Sequence, residues 1–136
     1  MLQLMTWGEI IENFKTEGQL KMAVIFDSSG EKIAETEGTT MTSTEALNVL
    51  KSLSTISTNI YGLFLMGSKF RCFHVDKDTL IGQADGNVLV AHRKQNLLIC
   101  GISRLDSKTS CLAAVKNFVH RLVAEGTPAL SGDSLF

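Results

Sequence analysis

Lys69 and Arg71 alternate with Phe70 and Cys72 in the stretch Gly62-Leu-Phe-Leu-Met-Gly-Ser-Lys-Phe-Arg-Cys-Phe73. A strand's two-residue period sends such cations to one face and their apolar neighbours to the other. Such a sheet can bury one side in the core and present the cations on the other, by default as a solvated face and otherwise as a local electrostatic site. Catalysis would need acids, bases or nucleophiles that converge. His74, His92 and His120 instead fall on three different elements, and Asp76 and Asp78 read as turn residues. No nucleophile elbow, P-loop or His-Glu-x-x-His pattern occurs. Gly82-Gln-Ala-Asp-Gly86 imitates a phosphate loop, but it runs into a strand and so lacks the helix N-terminus that would hold phosphate. The sequence therefore predicts no catalytic residue, metal site or cofactor. Cys72, Cys100 and Cys111 each sit in an apolar run without C-x-x-C spacing, as expected of reduced core thiols.

A chain of 136 residues, 44% hydrophobic and 20% charged, can bury one core as a single domain. Residues 1–126 are expected to form it and residues 127–136 a tail. A formal net charge of -1 gives no global attraction to nucleic acid, so that partner class is excluded and any electrostatic site must be local. The opening Met1-Leu-Gln-Leu-Met5 has neither a basic n-region nor a long apolar h-region, and no run reaches a membrane-spanning length. A cytoplasmic protein is expected.

The elements that must position these residues follow from local signals. Thr6-Trp-Gly-Glu9 forms a capping box with Met5 and Ile10 as a hydrophobic staple; Trp7, Ile10, Ile11 and Phe14 keep helical spacing up to a stop at Gly18. Lys21 to Asp27 and Glu31 to Thr36 read as strands around Ser28-Ser29-Gly30. A second capping box, Thr42-Ser-Thr-Glu45, opens a helix with Ala46, Leu47, Leu50 and Leu53 on one face. Five strands follow, Leu63 to Met66, Lys69 to Val75, Thr79 to Ala84, Val88 to Arg93 and Leu97 to Ser103. The first pair turns on Gly67-Ser68, and Asp85-Gly86 is the strongest hairpin signal. A last helix begins near Asp106 or Ser107, carries Cys111, Val115, Phe118 and Leu122 on one stripe, and stops at Gly126 before Pro128. This order is that of an α+β protein with a central antiparallel sheet.

The element order and several strings together resemble the profilin family. Gly62-Leu-Phe-Leu-Met-Gly-Ser-Lys-Phe70 is similar to that family's Gly-Leu-x-Leu-Gly-Gly-x-Lys-Tyr hairpin; Trp7, Ala23-Val-Ile25 before a Ser-Gly turn, Leu97-Leu-Ile-Cys-Gly101 and Cys111 follow in the family's order. The resemblance implies the profilin fold, with the N- and C-terminal helices on one face of the sheet and a further helix on the other. It implies a noncatalytic binder of monomeric actin whose one-to-one complex restricts nucleation. Lys69 falls on the family's actin-contacting lysine, and Arg71, His74, Arg104, Leu105, Lys108 and Thr109 fall on further contact positions, with Leu105 and Leu112 supplying burial. The polyproline groove is depleted: Trp7 is present, but Ile10 and Ile33 replace aromatics, and Arg121 and Val123 stand where the last helix offers a tyrosine. Binding of proline-rich peptides is expected to be weak or absent unless Phe118 and His120 rebuild part of the groove. Anionic phosphoinositides, ligands of the family, would require the patch Lys69, Arg71, His92, Arg93 and Lys94. The alternative is a roadblock-type dimeric scaffold for small GTPases, which shares this element order and differs in being a homodimer.

Overall fold

A computed structural model of the chain describes residues 6–54 and 63–125. Met5, Gly62, Gly126, Pro128 and the tail 127–136 lie outside the described residues. Helix α1 (Trp7–Gly18) begins at the expected capping box: the Glu9 N–H donates to Thr6 Oγ1 at 3.1 Å and the Thr6 N–H to Glu9 Oε1 at 2.9 Å. Its C-terminal turn differs from expectation. Gln19, not Gly18, adopts the left-handed conformation with φ of 53°, while Gly18 is the last helical residue. The glycine is needed for packing, since a Cβ there would lie 2.8 Å from Ala114 Cβ.

Strands β1 (Met22–Asp27) and β2 (Lys32–Glu35) form the first hairpin, and α2 (Ser43–Ser54) starts at the second capping box. Glu45 also accepts the Met66 N–H at 3.1 Å, which ties this helix start to a turn twenty-one residues on. The helix buries Ala46, Val49, Ser52 and Leu53. Leu47, expected on that stripe, is 45% exposed, lying at the edge of the helix cover beside the Gly30 turn. Strands β3 (Leu63–Leu65), β4 (Ser68–Val75), β5 (Thr79–Ala84), β6 (Asn87–Lys94) and β7 (Leu97–Arg104) follow as a meander. The β3–β4 turn falls on Met66-Gly67, one residue earlier than expected, with φ of 53° and 80°. Two successive positive φ values match the twist of the flanking strands, whereas a turn on Gly67-Ser68 would place one of them on a serine. A short 3-10 turn (Leu105–Ser107) leads into α3 (Lys108–Glu125).

All seven strands join one antiparallel sheet in the order β2-β1-β7-β6-β5-β4-β3. Helices α1 and α3 cover one face over Ile10, Ile11, Phe14, Ile25, Val90, Ile99, Val115 and Phe118. Helix α2 covers the other over Val24, Phe26, Leu65, Phe70, Leu89, Leu98 and Cys100. The central strands are apolar on both sides for this reason, and β7 is buried from Leu97 to Ser103. At Gly101 a Cβ would lie 3.2 Å from Val115 of α3 and 3.6 Å from Phe14 of α1, with Leu20 at 3.1 Å, so the missing side chain lets both helices approach the sheet. Phe14 and Phe118 stack across α1 and α3 with ring centroids 4.3 Å apart.

Phe118 is fully buried in that stack, so its truncation leaves a cavity that the two helices and the sheet cannot close together. Phe118→Ala is expected to lower unfolding free energy by about 3–5 kcal/mol, read as a reduced urea midpoint.

Candidate functional site

The face of β4 is set by a bulge. Phe70 enters the α2 core, so Lys69 and Arg71 point to the α1/α3 side of the sheet, and both are exposed because β4 extends past the cover of α3. Arg71 pairs with Gln83 and Cys72 with Gly82, but Ile81 then pairs with His74. The inserted Phe73 reverses the phase, and His74 joins Lys69 and Arg71 instead of following Cys72 to the other face. Among the described residues no carboxylate pairs with Lys69 or Arg71.

A groove of about 420 Å³ lies between this part of the sheet and the start of α3, lined by His74, Asp76, Thr79, Lys108, Thr109 and Leu112 among others. It brings together four of the residues singled out in sequence. Lys69 and Arg71 continue the same face beyond it. Arg104 and Leu105 do not line it but lie beside the β5–β6 turn: the Leu105 N–H donates to Gly86 O at 2.7 Å, and Arg104 is ion-paired to Asp106 at 3.4 Å. Ser68 donates to Asp85 at 2.9 Å in the adjoining turn, which holds the β3–β4 and β5–β6 hairpins side by side.

His74 Nε2 lies 3.0 Å from Asp76 Oδ2. Backbone N–H groups of Asp78, at 2.9 Å, and Thr79, at 2.8 Å, also reach the Asp76 carboxylate; the Asp78 contact is the chief influence that holds it below the usual carboxylate range. These bonds organise the β4–β5 turn and leave no free base aimed at a nucleophile. The cysteines supply no reactive thiolate either. Burial raises all three thiols, Cys100 to about 12, and Cys72 is half-buried instead of fully enclosed as expected. Among the described residues no cluster of metal-ligating side chains occurs, and no helix is long and apolar enough to cross a membrane.

The five cations expected to attract phosphoinositides do not form one patch. Arg93 projects to the α2 side, where it donates to Ser54 and to the Lys77 carbonyl. His92 and Lys94 share the α3 side with Lys69 and Arg71, yet His92 pairs with Thr79 while Arg71 pairs with Gln83, four residues further along β5. That separation is about 13 Å along the strand.

The α1/α3 groove differs from the sequence expectation as well. Ile10 and Phe118 are buried in the core and cannot line a surface groove, so Phe118 does not rebuild one. Helical periodicity marked both as apolar without telling core from rim. Trp7 and Ile33 are half-buried against the same core, and the Trp7 Nε1 is enclosed with no acceptor among the described residues. Arg121 is ion-paired to Glu17 at 2.7 Å across the groove, and His120 lies exposed beside it.

Sequence reasoning missed Phe64. It pairs with Lys69 across the β3–β4 hairpin and is 69% exposed, while Leu63 and Leu65 pack into the α2 core. The signal was the Leu63-Phe64-Leu65 alternation, which sends the phenylalanine to the cationic face.

The sheet, covered by helices on both faces and exposing Lys69, Arg71 and His74 at its margin, defines an α+β domain with a cationic sheet face. A family model described as Profilin matches residues 5–127, nearly the whole chain, and the protein belongs to the profilin family. Similar solved structures include Acanthamoeba castellanii profilin IA, at 14% identity over 89% of this chain and 99% of that one, with a TM-score of 0.81. A LokiProfilin2 in complex with rabbit actin is 13% identical over 85% and 94% of the two chains, with a TM-score of 0.70. Myxococcus xanthus MglB, at 13% identity over 87% and 92%, scores 0.61. At these identities the structures share the fold alone. No curated protein matches the sequence significantly.

His92 adds a pH dependence beside this face. It lies 2.8 Å from Thr79 Oγ1, and burial pushes its pKa below the ordinary histidine value, with Lys116 and Lys94 adding to the shift against Asp78 and Asp76. The unfolded chain therefore takes up the proton first as pH falls below about 6.5, so stability is held above that pH and lost through the interval down to the folded value. Urea midpoints at about pH 7.5 and 5.5 are expected to differ less in His92→Gln than in the wild type.

Proposed function

We propose that the protein is a noncatalytic actin-monomer binder that sequesters or delivers monomers and so regulates filament nucleation and assembly in the cytoplasm. The observation that carries this is the common face of Lys69, Arg71 and His74, created by the β4 bulge and continued by Lys108, Thr109 and Leu112 along the groove. Family membership and the likeness to a profilin solved with rabbit actin support the same partner. Exposed cations on this face would speed association with an acidic surface and lose effect in salt. Leu105, 36% exposed, and Leu112, half-buried, would supply the apolar contact.

Proline-rich peptides are not effective ligands in this proposal. A polyproline II ligand needs an aromatic-lined groove, and here the enclosed indole N–H of Trp7, the buried Ile10 and the Glu17–Arg121 ion pair leave a single half-buried aromatic under a polar rim. Phosphoinositides would be weak, salt-sensitive ligands, because the cations of this face fall into two groups and Arg93 belongs to neither.

The test is an actin polymerisation time course with increasing amounts of the protein beside Lys69→Glu, Arg71→Glu. A dose-dependent delay in nucleation is expected from the wild type, and a smaller one from the double variant, with slower association and a flatter salt dependence. Equal delay by both would remove the cations from the site. Light scattering checks the roadblock-type alternative: the actin-monomer-binding reading predicts a monomer, and a stable homodimer with no effect on actin would replace that reading by a dimeric scaffold.

A further inference from the structure

We infer that Phe64 is the aromatic anchor of the actin interface, which extends the docking surface from the α3 groove onto the β3–β4 hairpin. The inference rests on the proposed actin binding and assigns a residue to it. A phenylalanine in a strand whose neighbours Leu63 and Leu65 both face the α2 core has no folding reason to be large, because its own side chain is 69% exposed. Its cross-strand partner is Lys69, and Arg71 lies on the adjoining diagonal of the same face. The hairpin that presents it is held at three points: Met66 bonds to Glu45 of α2, Ser68 bonds to Asp85, and Met66-Gly67 form a tight turn with both φ values positive. An exposed aromatic on a rigid support loses little conformational freedom on docking, which is the usual condition of an interface hot spot.

The flanking charges select the partner. A bare phenylalanine would suit any apolar hollow, whereas one bracketed by Lys69 and Arg71 fits a hollow rimmed by carboxylates. Asp85, in the adjoining β5–β6 turn, is engaged by the Ser68 hydroxyl, and Asp76, at the far side of His74, by His74 and two backbone N–H groups. Cations and aromatic then divide the work: the charges govern how fast the complex forms, and the ring governs how long it lasts.

Binding of fluorescently labelled monomeric actin to the full chain, followed by stopped flow at two salt concentrations, tests this. Phe64→Ala is expected to weaken binding about 10- to 100-fold through faster dissociation, with an unchanged salt slope and an unchanged urea midpoint. Phe64→Tyr, which keeps the ring, is expected to retain most of the affinity. Phe64→Ala binding within about twofold of wild type, while Lys69→Glu, Arg71→Glu still slows association, would overturn the anchor and leave the cationic actin face standing. Absence of binding by the wild-type chain itself would overturn both.

Discussion

Pairing between β1 and β7 is the interaction on which the rest of the structure depends. It runs in register from Met22 opposite Ile102 to Asp27 opposite Leu97, and it joins the N-terminal hairpin to the five-strand meander as one sheet. Without it β7 would be an edge strand, and a strand buried from Leu97 to Ser103 cannot be left as an edge. The pairing also determines which residues face which helix. Ala23, Ile25, Ile99 and Gly101 go to α1 and α3, and Val24, Phe26, Leu98 and Cys100 go to α2.

A sheet covered on both faces has no spare surface in its middle, so the proposed recognition face falls to its margin. Strand β4 lies next to the β3 edge and beyond α3, where one face is still core and the other is open. Phe70 anchors the strand in the α2 core while Lys69 and Arg71 stay in solvent on the reverse. One inserted residue at Phe73 then carries His74 to the same side. A bulge costs local ladder hydrogen bonds, and here it gives the cationic face a third residue at the mouth of the α3 groove.

The two grooves bordering α3 differ in kind. The one toward β4 and β5 is open and carries Lys108, Lys116 and His74 against Asp76. The one toward α1 is floored by Phe14 and spanned by the Glu17–Arg121 ion pair. An exposed ion pair contributes little to stability, about 0–1 kcal/mol, yet it occupies the rim where a peptide ligand would lie. The Phe14–Phe118 stack beneath it serves the core.

Helix starts, most strand positions and the α3 stripe were legible in the sequence because they rest on local chemistry: two capping boxes, Asp85-Gly86, and Cys111, Val115, Phe118 and Leu122 at helical spacing. The division of Lys69 and Arg71 from Phe70 was legible for the same reason, since alternation is a property of one strand. What only the tertiary structure decided depends on partners distant in the chain. The bulge that reorients His74 arises from pairing with β5, the burial of Ile10 and Phe118 from the meeting of α1 with α3, and the distance of His92 and Lys94 from Lys69 and Arg71 from the registers of β4 and β6 on β5. Phe64 shows both halves: its alternation was visible in Leu63-Phe64-Leu65, but its exposure beside Lys69 required the folded hairpin at the margin of the sheet.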